Sequence, residues 1–107
     1  MQPQTTPGTR VIEETGTSYA PLYHLILLDD DHHTYEYVIL MLGRLFGYSP
    51  EKGFAIACVV DSQGQAVLLT GGYDEARRKQ EAIHAFGADP LMPDSAGSMS
   101  AVVEPVE

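Results

Sequence analysis

The sequence predicts a small α+β domain in which three helices pack against a small, antiparallel-type sheet, in the order strand-helix-helix-strand-helix-strand. Short apolar runs at 23–28 and 66–69 have the length of strands and end at polar residues or glycine. Three other segments repeat apolar residues at spacings of three and four, which is typical of amphipathic helices. The 107 residues, 44% of them hydrophobic, suffice for one modest core and exclude a large multi-domain enzyme.

The first strand and the first helix have clear boundaries. The apolar run 23–28 stops abruptly at Asp29. The helix is predicted from Thr34, which can cap its N-terminus, to Phe46, and Gly47 can end it. Its predicted inner face consists of Tyr35, Val38, Ile39, Leu42, Leu45 and Phe46.

The second helix is predicted to begin immediately afterwards. Ser49 can cap it, Pro50 suits its first position, and Glu51 meets the positive end of the helix dipole. We expect it to end around Asp61. Its predicted apolar stripe consists of Ile56, Ala57 and Val60.

The remaining elements are a second strand at 66–69, a third helix and a last strand. Gly71-Gly72 interrupts the chain before the third helix, which begins near Asp74 and ends at Gly87. Its predicted inner face consists of Ala76, Ile83 and Phe86. A loop rich in Pro, Gly and Ser precedes a last strand at 99–103.

Charge and composition restrict the partners. Six Lys and Arg against fifteen Asp and Glu give a formal net charge of −9, which disfavours nucleic acid and anionic membranes and favours a cationic partner. Residues 1–20 are polar and aperiodic, so we expect a disordered tail there and a folded domain over 21–107. No apolar stretch approaches a membrane span, and the first ten residues lack the order of a secretion signal, so a cytoplasmic protein is expected. Cys58 is a lone cysteine in an apolar run and is expected to be an inert core residue.

The segment Asp29-Asp30-Asp31-His32-His33, between the first strand and the first helix, is the most unusual feature. It has three interpretations. It could bind a metal, although adjacent residues on an extended chain point in different directions. It could be a solvated acidic turn that caps the helix and leaves both histidines exposed. It could also recognise a cation such as a peptide ammonium, since carboxylates form charge-assisted hydrogen bonds with one.

The same region resembles the ClpS family of adaptors of the bacterial Clp protease. In that family an aromatic residue and an apolar strand precede Asn-Asp-Asp and a helix that reads Met-Glu-Phe-Val. Here the corresponding residues are 23–28, Asp29-Asp30-Asp31 and 35–38. The resemblance continues through Phe46, Glu51, Gly64-Gln65-Ala66 and 79–86, and so covers about 21–87, with a looser match at the C-terminus.

The resemblance implies a function without catalysis. ClpS adaptors bind proteins with a bulky hydrophobic first residue, a degradation signal called an N-degron, and deliver these proteins to a ClpA-type or ClpC-type AAA+ unfoldase. The family needs no cofactor or metal, its N-terminal tail engages the unfoldase, and a monomer is expected.

The resemblance also implies site residues. The substrate's α-amine would be held by Asp29, Asp30 and Asp61. The side-chain pocket would be lined by Tyr35, Val38, Ala57 and Val60. Asp74 and Lys79 match residues of the surface that faces the unfoldase. On periodicity alone, core packing explains the four pocket residues equally well, and the last two are equally consistent with ordinary exposed helix charges.

Three departures from the family pattern bear on function. Asp61 replaces a histidine that helps to hold the α-amine, and it can accept a hydrogen bond but not donate one. Ala57 replaces a Met at the pocket rim, which should widen the pocket and loosen selection against branched side chains. Gly71-Gly72 removes a cap of the third helix.

Two other functions compete with the adaptor. The protein could keep the unfoldase contact and lose amine recognition, which would make it a modulator of the protease. It could be an enzyme, but the sequence offers no nucleophile–base pair and no serine in a nucleophile elbow.

Overall fold

A computed structural model describes residues 20–107, so nearly all of the tail predicted for 1–20 lies outside the described residues. The element order is that predicted. The elements are β1 (Tyr23–Leu28), α1 (Tyr35–Phe46), α2 (Pro50–Gln63), β2 (Gln65–Gly71), α3 (Tyr73–His84) and β3 (Ala101–Pro105).

The sheet has three strands in the order β2-β1-β3, and β1 pairs antiparallel with both neighbours. The predicted fold class is thereby confirmed. Because β1 is the central strand, its side chains reach the core most completely. Leu25 and Leu27 are fully buried against Met41, Leu42 and Ile83 of the helices.

The ends of α1 follow from local chemistry. The Thr34 side chain accepts a hydrogen bond from the Tyr37 N–H, and Gly47 ends the helix in the left-handed region at φ 71°. Both assignments were predicted. The predicted inner face was incomplete, because Tyr37 and Met41 are also buried.

The helices α1 and α2 approach each other closely, and this contact builds the site described below. A Cβ atom at Gly53 would lie 3.2 Å from the Cα of Ile39, so the crossing needs glycine there. The Ser49 side chain caps α2 by accepting from the Lys52 N–H, as predicted, and the helix runs to Gln63, two residues beyond the expected end.

Several other boundaries differ from the prediction. The strand β2 is longer at both ends than 66–69, α3 ends at His84 rather than at Gly87, and β3 begins two residues later than predicted. The N-cap of α3 is Gly72, which offers no side-chain cap, in agreement with the sequence. Within residues 20–107, none of the helices combines the length and apolar character that a bilayer crossing needs.

Candidate functional site

A cavity of about 160 Å³ opens between α1 and α2, beside the end of β1. Its floor is apolar and its mouth carries carboxylates. The lining residues are Asp29, Asp31, His33, Tyr35, Val38, Ala57, Val60, Asp61 and Met99.

The junction between β1 and the end of α2 brings two distant acids to the same cavity. The Asp29 N–H donates to the carbonyl of Gly64, at 3.0 Å, and Gly64 is the C-cap of α2. Asp61 lies in the last turn of that helix. The two carboxylates therefore line one cavity although 32 positions separate them in the chain.

The acidic turn directs its three carboxylates to different sides. The N–H of Asp31 donates to Oδ1 of Asp29 at 3.2 Å, and the N–H of His32 donates to Oδ1 of Asp30 at 3.0 Å. Such side-chain bonds to the backbone two residues on are typical of aspartate turns. Asp31 adopts a φ of 62°, a left-handed conformation that aspartate tolerates better than most residues.

Asp30 does not line this cavity, in contrast to the other two predicted amine ligands. It lines a neighbouring polar depression together with His32, Asp94 and Gly97. Its Oδ1 also lies 2.9 Å from Nδ1 of His33. The turn thus presents Asp29 and Asp31 to the cavity and directs Asp30 to an internal partner.

All four predicted pocket residues line the cavity. Val38, Ala57 and Val60 also belong to the buried core. These three residues therefore both pack in the core and line the cavity, the two interpretations that periodicity left open. Tyr35 is half-buried at the N-terminus of α1, with its ring edge-to-face against Phe54 at 5.6 Å between centroids.

Tyr35 also contacts an acid across the mouth of the cavity. Its hydroxyl donates to Oδ2 of Asp61 at 2.7 Å. This hydrogen bond, helped by partial burial and by the charge of Asp61, raises the pKa of Tyr35 to about 12. The phenol therefore stays protonated at neutral pH and the bond persists.

The two residues predicted to face the unfoldase differ in their surroundings. Asp74 is exposed in the first turn of α3. The ammonium of Lys79 donates to the carbonyl of Leu45 and lies 5.1 Å from the ring centroid of Phe46. Lys79 therefore ties α3 to the C-terminal turn of α1.

Sequence reasoning missed Asp31, His33 and Met99 as lining residues. The acidic run singled out Asp31 but gave no way to tell which carboxylate turns inward. Met99 reaches the cavity from the segment before β3, and no local pattern indicates that contact.

Two burial predictions are corrected. His32 is exposed as expected, but the side chain of His33 is only 3% exposed, because the segment before β3 covers it and accepts its hydrogen bond. Cys58 is half-buried rather than part of the core, since its position on α2 lies between the buried face and solvent.

The histidines and carboxylates near the site form pairs rather than a metal centre. His32 contacts Asp94 at 2.9 Å, and His33 contacts Asp30 at the same distance. Within residues 20–107, no group of three or more Asp, Glu, His or Cys side chains is arranged to hold a metal ion.

The chemistry of the cavity suits a ligand with two parts. The carboxylates at its mouth can form charge-assisted hydrogen bonds with an ammonium group. The apolar floor gains free energy when a hydrophobic group leaves water, by about 25 cal/mol for each Å² removed. An ammonium next to an apolar side chain therefore matches the site.

Comparisons with known proteins identify the family of this chain. A family model described as "ATP-dependent Clp protease adaptor protein ClpS" matches residues 18–93. The ClpS adapter protein of Aromatoleum aromaticum is 34% identical over 74 residues, which cover 69% of this chain and 72% of that protein. The ClpS adapter protein of Rhodococcus jostii is 29% identical over 85 residues, which cover 79% of this chain and 76% of that protein.

A solved structure has the same fold. It is that of Agrobacterium tumefaciens ClpS2 bound to L-phenylalaninamide, with a TM-score of 0.72 at 24% identity, over 82% of this chain and 100% of that chain. The family model alone covers more than two thirds of this sequence. The chain therefore belongs to the ClpS family of ATP-dependent Clp protease adaptor proteins.

Proposed function

We propose that this ClpS-family adaptor binds N-degrons and delivers them to a ClpA-type or ClpC-type AAA+ unfoldase for degradation. The observation that carries the proposal is the cavity that joins an apolar floor to an acidic mouth. No bond in the substrate is broken by the adaptor in this proposal. Its role is to bind and transfer.

The acids at the mouth take the α-ammonium of the client. Asp61 and Asp29 approach it from the end of α2 and from the acidic turn, and each can form a charge-assisted hydrogen bond. Asp30, predicted as a third ligand, does not contact the ammonium in this proposal. It supports Asp29 indirectly, through the turn that the two residues share. The first side chain of the client enters between Tyr35, Val38, Ala57 and Val60.

Two further observations support this role. The solved relative carries L-phenylalaninamide, which has a free α-amine and an aromatic side chain. The net charge of −9 favours approach of a cationic chain terminus, because long-range attraction raises the encounter rate.

The test compares a free with a blocked amine. A fluorescent peptide that begins with Leu, Phe or Tyr should bind, and its N-acetylated form should bind at least about tenfold more weakly, because it lacks the charge. Asp61→Asn and Asp29→Asn should each weaken free-amine binding by about 1.5–3 kcal/mol. Glu81→Gln, an exposed acid on α3, is the matched control and should change nothing.

A second function is kept because Asp61 stands in place of the family's histidine. In that case the protein modulates the unfoldase and binds no N-degron. Co-purification of the unfoldase, together with no binding of free-amine peptides, would establish the modulator and reject the adaptor. Equal binding of free and acetylated peptides would reject recognition of the amine.

Delivery needs a separate measurement. A folded reporter that begins with Phe should be degraded by the purified unfoldase and its peptidase only when the adaptor is present. The same reporter with a blocked N-terminus should survive.

A further inference from the structure

His33 is a buried histidine whose two ring nitrogens both face hydrogen-bond acceptors. Nδ1 lies 2.9 Å from Oδ1 of Asp30, and Nε2 lies 2.7 Å from the carbonyl of Gly97. The ring also packs against Tyr37, with 4.5 Å between centroids. His33 is also one of the residues that line the cavity.

The number of protons on the ring decides which of these contacts can be hydrogen bonds. A carboxylate and a carbonyl can only accept, and a neutral imidazole carries a single N–H. Both contacts are therefore satisfied only when the ring is doubly protonated and positively charged. Asp30 supplies the counter-charge that a buried cation needs.

The other charged and titratable groups around His33 are mostly acids. Asp29 and Asp31 line the cavity with it, and the pair of His32 and Asp94 lies in the adjoining depression. The buried Asp89 lies behind the turn. Burial raises the pKa of Asp89, but hydrogen bonds from Thr34 and Leu91 and the charge of His33 outweigh this and lower it. The Tyr37 phenol, whose pKa is raised mainly by burial, stays neutral.

Loss of one proton changes the hydrogen bonds that the His33 ring can form. If Nδ1 keeps its proton for Asp30, Nε2 presents a lone pair to the Gly97 carbonyl at 2.7 Å, which is repulsive. The hydroxyl of Ser95 lies 3.2 Å from Nε2 and can donate to that lone pair instead. The segment 94–98 therefore has two hydrogen-bonding arrangements, and a proton selects between them.

This segment leads directly into the wall of the cavity, since Gly97 precedes the lining residue Met99 by two positions. We propose that His33 is a positioning residue whose protonated ring fixes this wall, so that N-degron affinity is regulated by the charge on His33. The inference rests on the proposed function and adds its regulation. The charged ring holds the wall closed around the client's side chain, and the neutral ring releases it.

Loss of the His33 proton also has an effect in the opposite direction on affinity, and this effect is smaller than the loss of the contact with Gly97. A neutral ring leaves the acidic mouth one charge more negative, which favours an ammonium. That effect acts between partly exposed charges that salt screens, whereas the contact with Gly97 is direct and buried. Affinity therefore falls as the pH rises.

The experiment measures peptide affinity between about pH 5.5 and about pH 7, where histidines titrate and a peptide α-amine stays charged. Wild-type protein should bind a Phe-starting peptide about fivefold more weakly at the upper end. His33→Gln cannot change its charge, so it should bind weakly at the lower end and show a flat profile. The matched control is His32→Gln, which removes an exposed histidine next to it and should keep the wild-type profile.

Magnetic resonance of labelled wild-type protein supplies a readout without any peptide. The ¹⁵N shifts of His33 should report two protonated nitrogens at the lower pH, and the Met99 methyl signal should move as the ring loses its proton. A singly protonated ring at that pH overturns the proposal. A Met99 methyl signal that does not shift when the His33 ring loses its proton overturns it too. A wild-type pH profile in His33→Gln overturns it as well.

The same measurements distinguish rejection of N-degron binding from rejection of the His33 switch. If wild-type protein binds no free-amine peptide at either pH, N-degron binding is rejected, and the His33 switch is then decided by the resonance data alone. If binding depends on Asp61 but not on His33, N-degron binding stands and the switch is rejected.

Discussion

The hydroxyl of Tyr35 and the Oδ2 atom of Asp61 lie 2.7 Å apart, and their hydrogen bond joins the first residue of α1 to the last turn of α2. The two helices form opposite walls of the cavity, so this bond crosses its mouth. It also limits the rotamers of an exposed carboxylate that would otherwise lose conformational freedom on binding an ammonium. Tyr35 thus prepares Asp61 for its proposed ligand.

The first prediction concerns this bond. Tyr35→Phe keeps the ring and removes the hydroxyl, so free-amine peptides should bind about three- to tenfold more weakly because Asp61 is no longer held. Titration calorimetry measures the change. Tyr48→Phe is the matched control, since that hydroxyl donates to the carbonyl of Leu68 away from the cavity. Unchanged affinity in Tyr35→Phe would show that the bond does not prepare the site.

The second prediction concerns the width of the cavity. Ala57→Met adds three heavy atoms to a buried wall, so it should narrow the cavity and weaken binding of peptides that begin with Ile or Trp more than of those that begin with Leu. The quantity to measure is the ratio of affinities for the three peptides. Ala55→Met, two residues away on the exposed face of α2, should leave that ratio unchanged. A parallel loss for all three peptides would indicate misfolding rather than altered selection.

Much of the fold could be predicted because its boundaries are encoded locally. Thr34 and Ser49 cap their helices with their own side chains, and Gly47 supplies the left-handed residue that ends α1. These signals need no knowledge of distant contacts. The resemblance to ClpS then brought acids from separate elements into one predicted site.

The rest depends on non-local contacts that have no sequence period. His33 is buried because residues 94–98 fold over it, and Met99 reaches the cavity for the same reason. The acidic run contains three chemically identical residues, and only the backbone shows that Asp30 turns away from the cavity. Such placement depends on the tertiary fold.

The third prediction concerns acid stability and Asp89. This carboxylate is 2% exposed and accepts from the N–H groups of Thr34 and Leu91, and these bonds together with the charge of His33 lower its pKa despite burial. A lowered pKa means that its stabilising contribution is complete above the unfolded value, near 3.8, and is lost as the pH falls through the folded value.

Replacement of that carboxylate should therefore remove part of the acid sensitivity. Asp89→Asn should lower the free energy of unfolding at neutral pH by about 1–3 kcal/mol and flatten its decline in acid. Urea unfolding at several pH values measures both. The exposed Asp94→Asn is the control, and a steeper acid decline in Asp89→Asn than in wild type would contradict the argument.

The last prediction separates two roles on α3. Asp74 is exposed and proposed to face the unfoldase, whereas the Lys79 ammonium is used inside the domain by the Leu45 carbonyl. Asp74→Asn should weaken binding to the purified unfoldase without changing the unfolding midpoint or peptide affinity. Lys79→Met should lower the stability of the domain by about 0.5–1.5 kcal/mol, because a carbonyl at the end of α1 loses its partner.

Glu51→Gln is the control for Asp74→Asn, since it neutralises an acid in the first turn of another helix. If both variants weaken binding to the unfoldase equally, the interaction depends on net charge rather than on a specific contact of Asp74. If Lys79→Met weakens binding to the unfoldase and leaves the unfolding midpoint of the domain unchanged, the Lys79 ammonium contributes to the interface despite its contact with α1.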